Sequence, residues 1–501
     1  MIIIFSVQSE MASQTENKHT TPINCVEILS EFVSQNVDKA LISNVPFDLK
    51  RNTGSKVLVC HDMNGGYLDD KFINGSDHPD SYTFYHWAQI DIFVYFSHHM
   101  VTIPPLVWVD VAHKNGVSVL GTFITEWDEG AENCSIMFKS VESTVHFAKQ
   151  LAEIAHTYNF DGWIVNIENT LSLVEVSNVQ VFLQVLSAEL KTRIPHGLVI
   201  WYDAVTCQGE LKWQDSVTDL NSCFFQCCDG IFLNYTWKDW QLQLTMELCF
   251  DRKTDVFVGI DVWARGCVGK FDCFQSTEKI LSHGFSTALF APAWCYEKNI
   301  GEFSDYLRDN NKFWNLLLST CPPKPIQRTH NETISSNFNF GFGQLIFEYG
   351  FLLGSKPWYN ISKQDNLYIN FCNDESFKIS INSDDAFEGS TSVKVSIIDL
   401  GLKHLDKLFC INVWIDKGKE IILVCKGCSK LEGLELLLSD KNGIQQTLKQ
   451  ISNSFIGGNS WRRIAYETQS SCDTSWIGLK FNDYLMTTSI NCILIGQIKI
   501  S

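Results

Sequence analysis

Between about residues 50 and 300 the chain repeats one hydrophobic pattern. A short β-branched or aromatic run ends in polar or aromatic residues, and a helical or loop segment follows. The runs are KVLVCHDM from Lys56, IDIFVYFSH from Ile90, SVLGTFITE from Ser118, GWIVNIEN from Gly162, GLVIWYDA from Gly197, GIFLNYTW from Gly230, DVFVGIDVW from Asp255 and STALFAPAW from Ser286. The spacing leaves room for crossover helices. One helix is predicted over Val141 to His156, with Val145, Phe147, Ala148, Leu151, Ala152 and Ile154 on its apolar face, and another over Val179 to Leu190. Continuous apolar strands alternating with helices indicate a parallel sheet covered on both faces. Eight such runs match the α/β class and the (β/α)8 TIM barrel. The doubly wound open sheet is the competitor, but no glycine-rich phosphate fingerprint follows any strand.

The pattern breaks at Cys321-Pro322-Pro323-Lys324-Pro325. Beyond it come short alternating runs such as SVKVSI, CINVWI, IILVC and WIGLKF, separated by turn residues and without evident crossover helices. This half reads as an antiparallel β-sandwich, jelly-roll-like. The expected division is a polar N-terminal tail over 1–24, with Met11 an alternative start, a barrel over 25–320, a linker over 321–336 and the β-sandwich over 337–501.

Composition narrows the partners. A formal charge of -18 opposes nucleic-acid binding, which needs a basic stripe to displace counterions from phosphate. The N-terminal apolar run is too short for a signal-peptide core, and no stretch approaches the roughly 20 apolar residues of a bilayer span, so no membrane partner is expected. The eighteen cysteines are scattered, often inside apolar strands as at Cys60, Cys249 and Cys410, which fits reduced thiols and a cytosolic location. Cys425-Lys426-Gly427-Cys428 has ligand spacing but no second pair at zinc-finger distance, so no metal and no cofactor are expected. Cys227-Cys228 reads as packing. Fifteen tryptophans suit either buried aromatic packing or a sugar-binding cleft, and position decides between them.

In a (β/α)8 barrel the C-terminal strand ends carry the chemistry. That rule gathers His61, Asp62 and Asn64, then Ser97 and His98, then Glu126, Trp127 and Asp128. It adds Asn166 and Glu168, Tyr202 and Asp203, Asn234, Tyr235 and Trp237, Asp261 and Trp263, and Trp294. Tryptophan and acids at so many strand ends point to a cleft for sugars. His61, Asp62 and Asn64 either shape subsites or form an Asn/Gly-rich turn. Glu126 either binds substrate or pairs with an arginine at the rim.

Within Asp161-Gly162-Trp163-Ile164-Val165-Asn166-Ile167-Glu168, strand alternation turns Ile164, Asn166 and Glu168 into the barrel and Trp163, Val165 and Ile167 toward the helices. Asn166 and Glu168 then stand about 7 Å apart by Cα at the end of the fourth strand. A usual retaining glycosidase pairs two carboxylates about 5 Å apart. Here the neighbour of Glu168 is an amide, a poor nucleophile. Substrate assistance resolves this: the 2-acetamido oxygen of an N-acetylglucosamine attacks its own anomeric carbon. Glu168 serves as acid and then base, Asn166 holds the acetamide, and Tyr202 on the next strand is placed to donate to it.

With these residues the chain resembles the cytosolic endo-β-N-acetylglucosaminidases, which cleave between the two core N-acetylglucosamines of N-glycans. The likeness lies in HDMNGGYLDD from His61, DGWIVNIEN from Asp161, WYDA from Trp201, LNYTW from Leu233, GIDVWARG from Gly259, LFAPAW from Leu289 and WYNISKQD from Trp358. It implies that Glu168 is the general acid/base, that Asn166 orients the acetamide with help from Tyr202, and that Trp213, Trp237 and Trp263 line the sugar cleft. It implies N-glycans or free oligosaccharides as substrates, with hydrolysis and transglycosylation, and no metal. The alternative is a catalytically silent sugar-binding protein, against which the presence of Glu168 argues. A chitin-chain hydrolase is disfavoured by Asn166, because the chitinase signature carries an acid there.

Overall fold

The computed structural model describes residues 17–47, 54–249, 251–299, 301–325, 333–366, 368–371, 376–398, 404–427, 434–481 and 492–501. Eight parallel strands close into a barrel: β1 Val57–His61, β2 Ile92–Tyr95, β3 Ser118–Glu126, β4 Gly162–Glu168, β5 Leu198–Tyr202, β6 Gly230–Leu233, β7 Val256–Asp261 and β8 Ser286–Phe290. Each pairs with the next, and β1 pairs with β8 to close the ring. Every run singled out in the sequence is one of these strands. The strands are almost wholly buried because side chains fill the inside and helices cover the outside.

The two expected helices are Val141–Tyr158 and Leu173–Arg193. Ser140 caps the first, and a Ser172–Glu175 capping box opens the second. By length and composition Leu173–Arg193 is apolar enough to cross a membrane, yet Val176, Val179, Phe182, Leu183, Leu186 and Leu190 are buried inside the protein. The β1–β2 crossover contains only 3-10 turns, held by aromatic packing and by Asp70, which accepts from Tyr95 Oη at 3.0 Å and Trp108 Nε1 at 2.9 Å.

The lower rim of the barrel is registered by carboxylates. Asp91, Asp161 and Asp229 each immediately precede a strand or its first turn, and each accepts a backbone N–H from the start of the strand before it. Val57 N donates to Asp91 Oδ2 at 2.8 Å, Val119 N to Asp161 Oδ2 at 2.6 Å and Val199 N to Asp229 Oδ2 at 2.9 Å. Buried amides of this kind must be paired, and these side chains pair them. Asp161 also bonds His113 Nε2 at 2.9 Å and His196 Nε2 at 2.8 Å. Burial opposes its charge, but these partners outweigh burial and lower its pKa.

The second half is antiparallel. One sheet contains Phe377–Asn382, Ser392–Ile397, Cys492–Ile500, Glu420–Lys426, Arg462–Glu467 and Gln450–Phe455, with Ile334–Ser336 on Cys492–Ile500. The other contains Tyr368–Ile369, His404–Ile415, Cys472–Lys480, Glu435–Ser439 and Gln445–Leu448. Phe377 stacks on Phe481 and Phe338 on Phe409 in their shared interior, and a separate hairpin spans Phe342–Glu348 and Phe351–Tyr359.

The segment Trp358 to Asp365 joins the halves. Tyr359 Oη donates to Tyr82 O at 2.5 Å and Asn360 Nδ2 to Ile73 O at 3.1 Å. Gln364 accepts from Trp87 Nε1 at 2.9 Å and donates to Thr83 Oγ1 and Phe84 O, both at 3.0 Å. One hydrophobic core runs through barrel and sheets.

Gly162 opens β4 at φ +143°, and a Cβ there would lie 1.9 Å from Leu198 O. Gly162→Ala is therefore expected to cost about 3 kcal/mol or more. Chemical denaturation checks this, and a midpoint equal to that of the parent would show that β4 and β5 do not need the close approach.

Candidate active site

The C-terminal strand ends surround a cleft of about 710 Å³. Its polar lining is Asp62, His98, Glu126, Asn166, Glu168 and Arg265, and its aromatic lining is Phe96, Tyr202, Phe232, Tyr235 and Phe290. Alternation along β4 produces the centre: Ile164, Asn166 and Glu168 line the cleft, while Trp163 turns outward and donates to Leu151 O at 3.1 Å.

Asn166 Nδ2 donates to Glu168 Oε1 at 3.2 Å. Asn166 Oδ1 is buried without a hydrogen-bond partner, on a residue that lines the cleft. Burial raises the pKa of Glu168; the Asn166 hydrogen bond opposes this, the Glu126 charge adds to it, and Glu168 holds its proton more tightly than an ordinary glutamate.

Glu126 ends β3 in register with Glu168, and its carboxylate meets His98 Nδ1 at 3.0 Å. Burial works against the imidazolium of His98, but the hydrogen bond to Glu126 and the nearby carboxylates raise its pKa overall. Burial likewise raises the pKa of Asp62. Arg265 reaches the cleft while held by buried Asp261 at the end of β7, Nε to Oδ2 at 2.7 Å.

Tyr202 starts a chain of polar contacts. Its hydroxyl donates to Asn234 Oδ1 at 3.0 Å, and Asn234 Nδ2 donates to Asp215 Oδ1 at 2.8 Å. Trp213 and Tyr235 lie close to the Tyr202 oxygen and oppose the rise that burial imposes on its pKa. The loop carrying Trp213 is tied down by Asp203, whose Oδ2 accepts from Gln214 N at 3.1 Å and Asp215 N at 2.8 Å, and whose Oδ1 accepts from Asn221 Nδ2 at 2.8 Å. Burial nonetheless pushes the Asp203 carboxyl up to about 8.

The structure thus brings together Glu168, Asn166, Tyr202 and Glu126 in the cleft lining, with Asn234 and Trp213 directly behind Tyr202. It does not bring every expected residue there. Trp237 is buried and donates to Gly259 O at 2.8 Å, bridging β6 to β7. Trp294 is buried against Phe271, with Lys298 over its ring. His61 is enclosed by Tyr82, Phe93 and Trp108. Asn64 takes a left-handed φ of 45° in a turn with Gly65 and Gly66, the second of the two alternatives for that segment. Trp263 is half-buried and outside the cleft lining, its backbone N–H donating to Asp261 Oδ1 at 3.1 Å. In each case a residue beyond the strand's last inward position has turned away. Phe96, Phe232, Phe290 and Arg265 were not singled out: the first three look like core residues in sequence, and Arg265 stands four residues beyond the strand end. Cys425 is buried within Glu420–Lys426, and Cys428 lies outside the described residues.

A closed parallel barrel with a protonatable carboxyl, a carboxamide and aromatic walls at its C-terminal face is the arrangement of a glycoside hydrolase. Residues 67–346 match the model of glycosyl hydrolase family 85, and the chain belongs to that family. It is 47% identical over 313 residues to a cytosolic endo-beta-N-acetylglucosaminidase of Gallus gallus, covering 62% of this chain and 42% of the relative. Against the human protein of the same name the identity is 46%, with the same coverage. Against cytosolic endo-beta-N-acetylglucosaminidase 2 of Arabidopsis thaliana it is 44% over 331 residues, 64% of this chain and 46% of the relative. The chain spans about half the length of the relatives it matches. The crystal structure of the glycoside hydrolase domain of Endo-D from Streptococcus pneumoniae superposes with a TM-score of 0.71 at 17% identity, covering 96% of this chain and 83% of that one, a likeness of fold. The family resemblance drawn from the motifs is borne out.

Asp203→Asn puts an NH2 against one of three N–H donors and is expected to destabilise the fold by about 1–3 kcal/mol. Limited proteolysis should then cut between residues 204 and 221 faster than in the parent. Equal cutting rates would mean that Asp203 does not hold the Trp213 loop.

Proposed function

We propose that this chain is an endo-β-N-acetylglucosaminidase, cleaving the β1,4 bond between the two core N-acetylglucosamines of N-glycans and free oligosaccharides. The observation that carries the reading is the buried, unpartnered Asn166 Oδ1 beside Glu168, whose pKa burial raises. The names of its relatives supply the substrate class.

In this mechanism the acetamido carbonyl oxygen of the sugar attacks C1 while Glu168 delivers its proton to the glycosidic oxygen, and the C1–O bond breaks. The oxazolinium N–H so formed donates to Asn166 Oδ1. Tyr202 turns its single hydroxyl proton from Asn234 Oδ1 to the acetamide and fixes its direction. Glu168, now a carboxylate, takes a proton from water as the water adds to C1, the bond from C1 to the acetamido oxygen breaks to restore the acetamide, and the configuration is retained. A sugar hydroxyl in place of water gives transglycosylation. The relatives are named cytosolic, and we assign this chain the same compartment, which suits its free cysteines. We propose that the β-rich half braces the barrel. A silent sugar-binding protein is not favoured, since the acid is in place.

A second reading has one observation behind it: Glu126 stands in register with Glu168, where a two-carboxylate enzyme would carry its nucleophile. Its engagement with His98 favours a supporting role. Glu126→Gln decides between them. Under substrate assistance the variant keeps activity, and loss of the neighbouring charge lowers the Glu168 pKa, moving the alkaline limb of the kcat/KM profile to lower pH. Loss of activity by about 10³-fold or more would make Glu126 the nucleophile.

Digestion of a Man9GlcNAc2-Asn glycopeptide tests the activity itself. Wild type is expected to release the glycan and Glu168→Gln to release essentially none. Asn166→Ala is expected to hydrolyse glycans poorly yet accept a preformed sugar oxazoline as donor. No release by wild type would refute the activity, and parental behaviour of Asn166→Ala on both substrates would remove its role.

A further inference from the structure

Strand β3 ends at Glu126, and the helix Trp127–Met137 begins at the next residue with no loop between them. Two features make so sharp a corner. Trp127 takes the left-handed φ of 57°, and Gly130 sits where a Cβ would come within 2.7 Å of the Thr125 carbonyl carbon and 3.0 Å of Asn169 Oδ1. The left-handed region is unfavourable for bulky L-residues and free of penalty for glycine. Its occupant here is nonetheless tryptophan, and the indole is 82% exposed, so packing does not compensate for the strain. Two unfavourable choices coincide at one position, next to a residue that lines the cleft.

The mount is rigid. Cys134 Sγ on the same helix lies 3.4 Å from Thr125 Oγ1, and Asn169 Nδ2, next to Glu168, lies 3.6 Å from that sulfur. The helix is therefore fastened to the ends of both β3 and β4, and Trp127 keeps a fixed position relative to Glu168.

Building on the activity proposed above, we infer that Trp127 is a substrate-binding platform on the rim of the cleft, stacking a neutral pyranose of the oligosaccharide beyond the reacting pair of N-acetylglucosamines. A flat, solvent-exposed indole matches the apolar C–H face of a hexose. Glu126, Asp128 and Glu129 flank it, so the local field repels an anionic sugar and accepts a neutral one. The occupant is thus a mannose-type hexose rather than a sialic acid.

The test uses Glu168→Gln as the non-cleaving parent and Trp127→Gly in that background, because glycine removes the indole and relieves the strain together. Calorimetric titration with Man9GlcNAc2-Asn is expected to show binding about tenfold weaker in the double variant, with Man1GlcNAc2-Asn bound equally by both. The Tm should be equal to that of the parent or higher, whereas a structural tryptophan would lower it. Equal affinity for Man9GlcNAc2-Asn in both proteins overturns the platform while leaving the proposed activity standing. Equal weakening toward both glycans with a lowered Tm also overturns it, as loss of structure. A parent that binds neither glycan refutes the reading of the cleft itself, and the platform with it.

Discussion

The buried backbone amides at the lower rim of the barrel have no strand neighbour to satisfy them, and the fold depends on their being paired. Asp91, Asp161 and Asp229 do this for three successive odd-numbered strands. Each carboxylate spans the gap between one strand's first or second amide and the next strand's start, so it also sets their relative height. Asp161 matters most for function, because it sets β3 against β4. A shift of one residue there would exchange inward and outward faces, sending Asn166 and Glu168 into the helical shell. The chemistry at the top of the barrel is aligned by hydrogen bonds at its base.

At the top, charge is arranged by burial more than by ion pairing. Asp62, Glu126 and Glu168 share one cleft with His98 and Arg265, and Arg265 is already engaged by Asp261. At Glu168 burial outweighs the opposing pull of the Asn166 N–H and of His98, which is itself engaged by Glu126. The polar chain from Tyr202 through Asn234 to Asp215 then fixes the hydroxyl on the next strand. The cleft thereby sets a buried carboxyl with a raised pKa beside neutral polar groups held in fixed directions.

Much of this was legible in the sequence. Period and spacing located all eight strands, because a barrel strand buried on both faces leaves an unbroken apolar run. Alternation placed Asn166 and Glu168 correctly for the same reason. Legibility ended where the chain leaves the strands. Trp237 and Trp294 stand just past strand ends, yet one turns to bridge two strands and the other packs beneath a lysine. Nothing local records such turns, since they are decided by contacts with distant residues. Phe232 failed to stand out for the opposite reason: an inward phenylalanine reads the same whether it fills a core or walls a cleft. The base carboxylates were visible as Asp residues before strands, but their role needs the register of two strands at once.

The joint at Trp358 to Asp365 has a consequence for how the chain is made. Tyr82 O waits for Tyr359 and Phe84 O for Gln364, partners 277 and 280 residues further on. As the polypeptide emerges from the ribosome, the β1–β2 crossover stays without those partners until the start of the second half has been synthesised. The crossover is thereby completed only once the segment from Trp358 to Asp365 has docked on it.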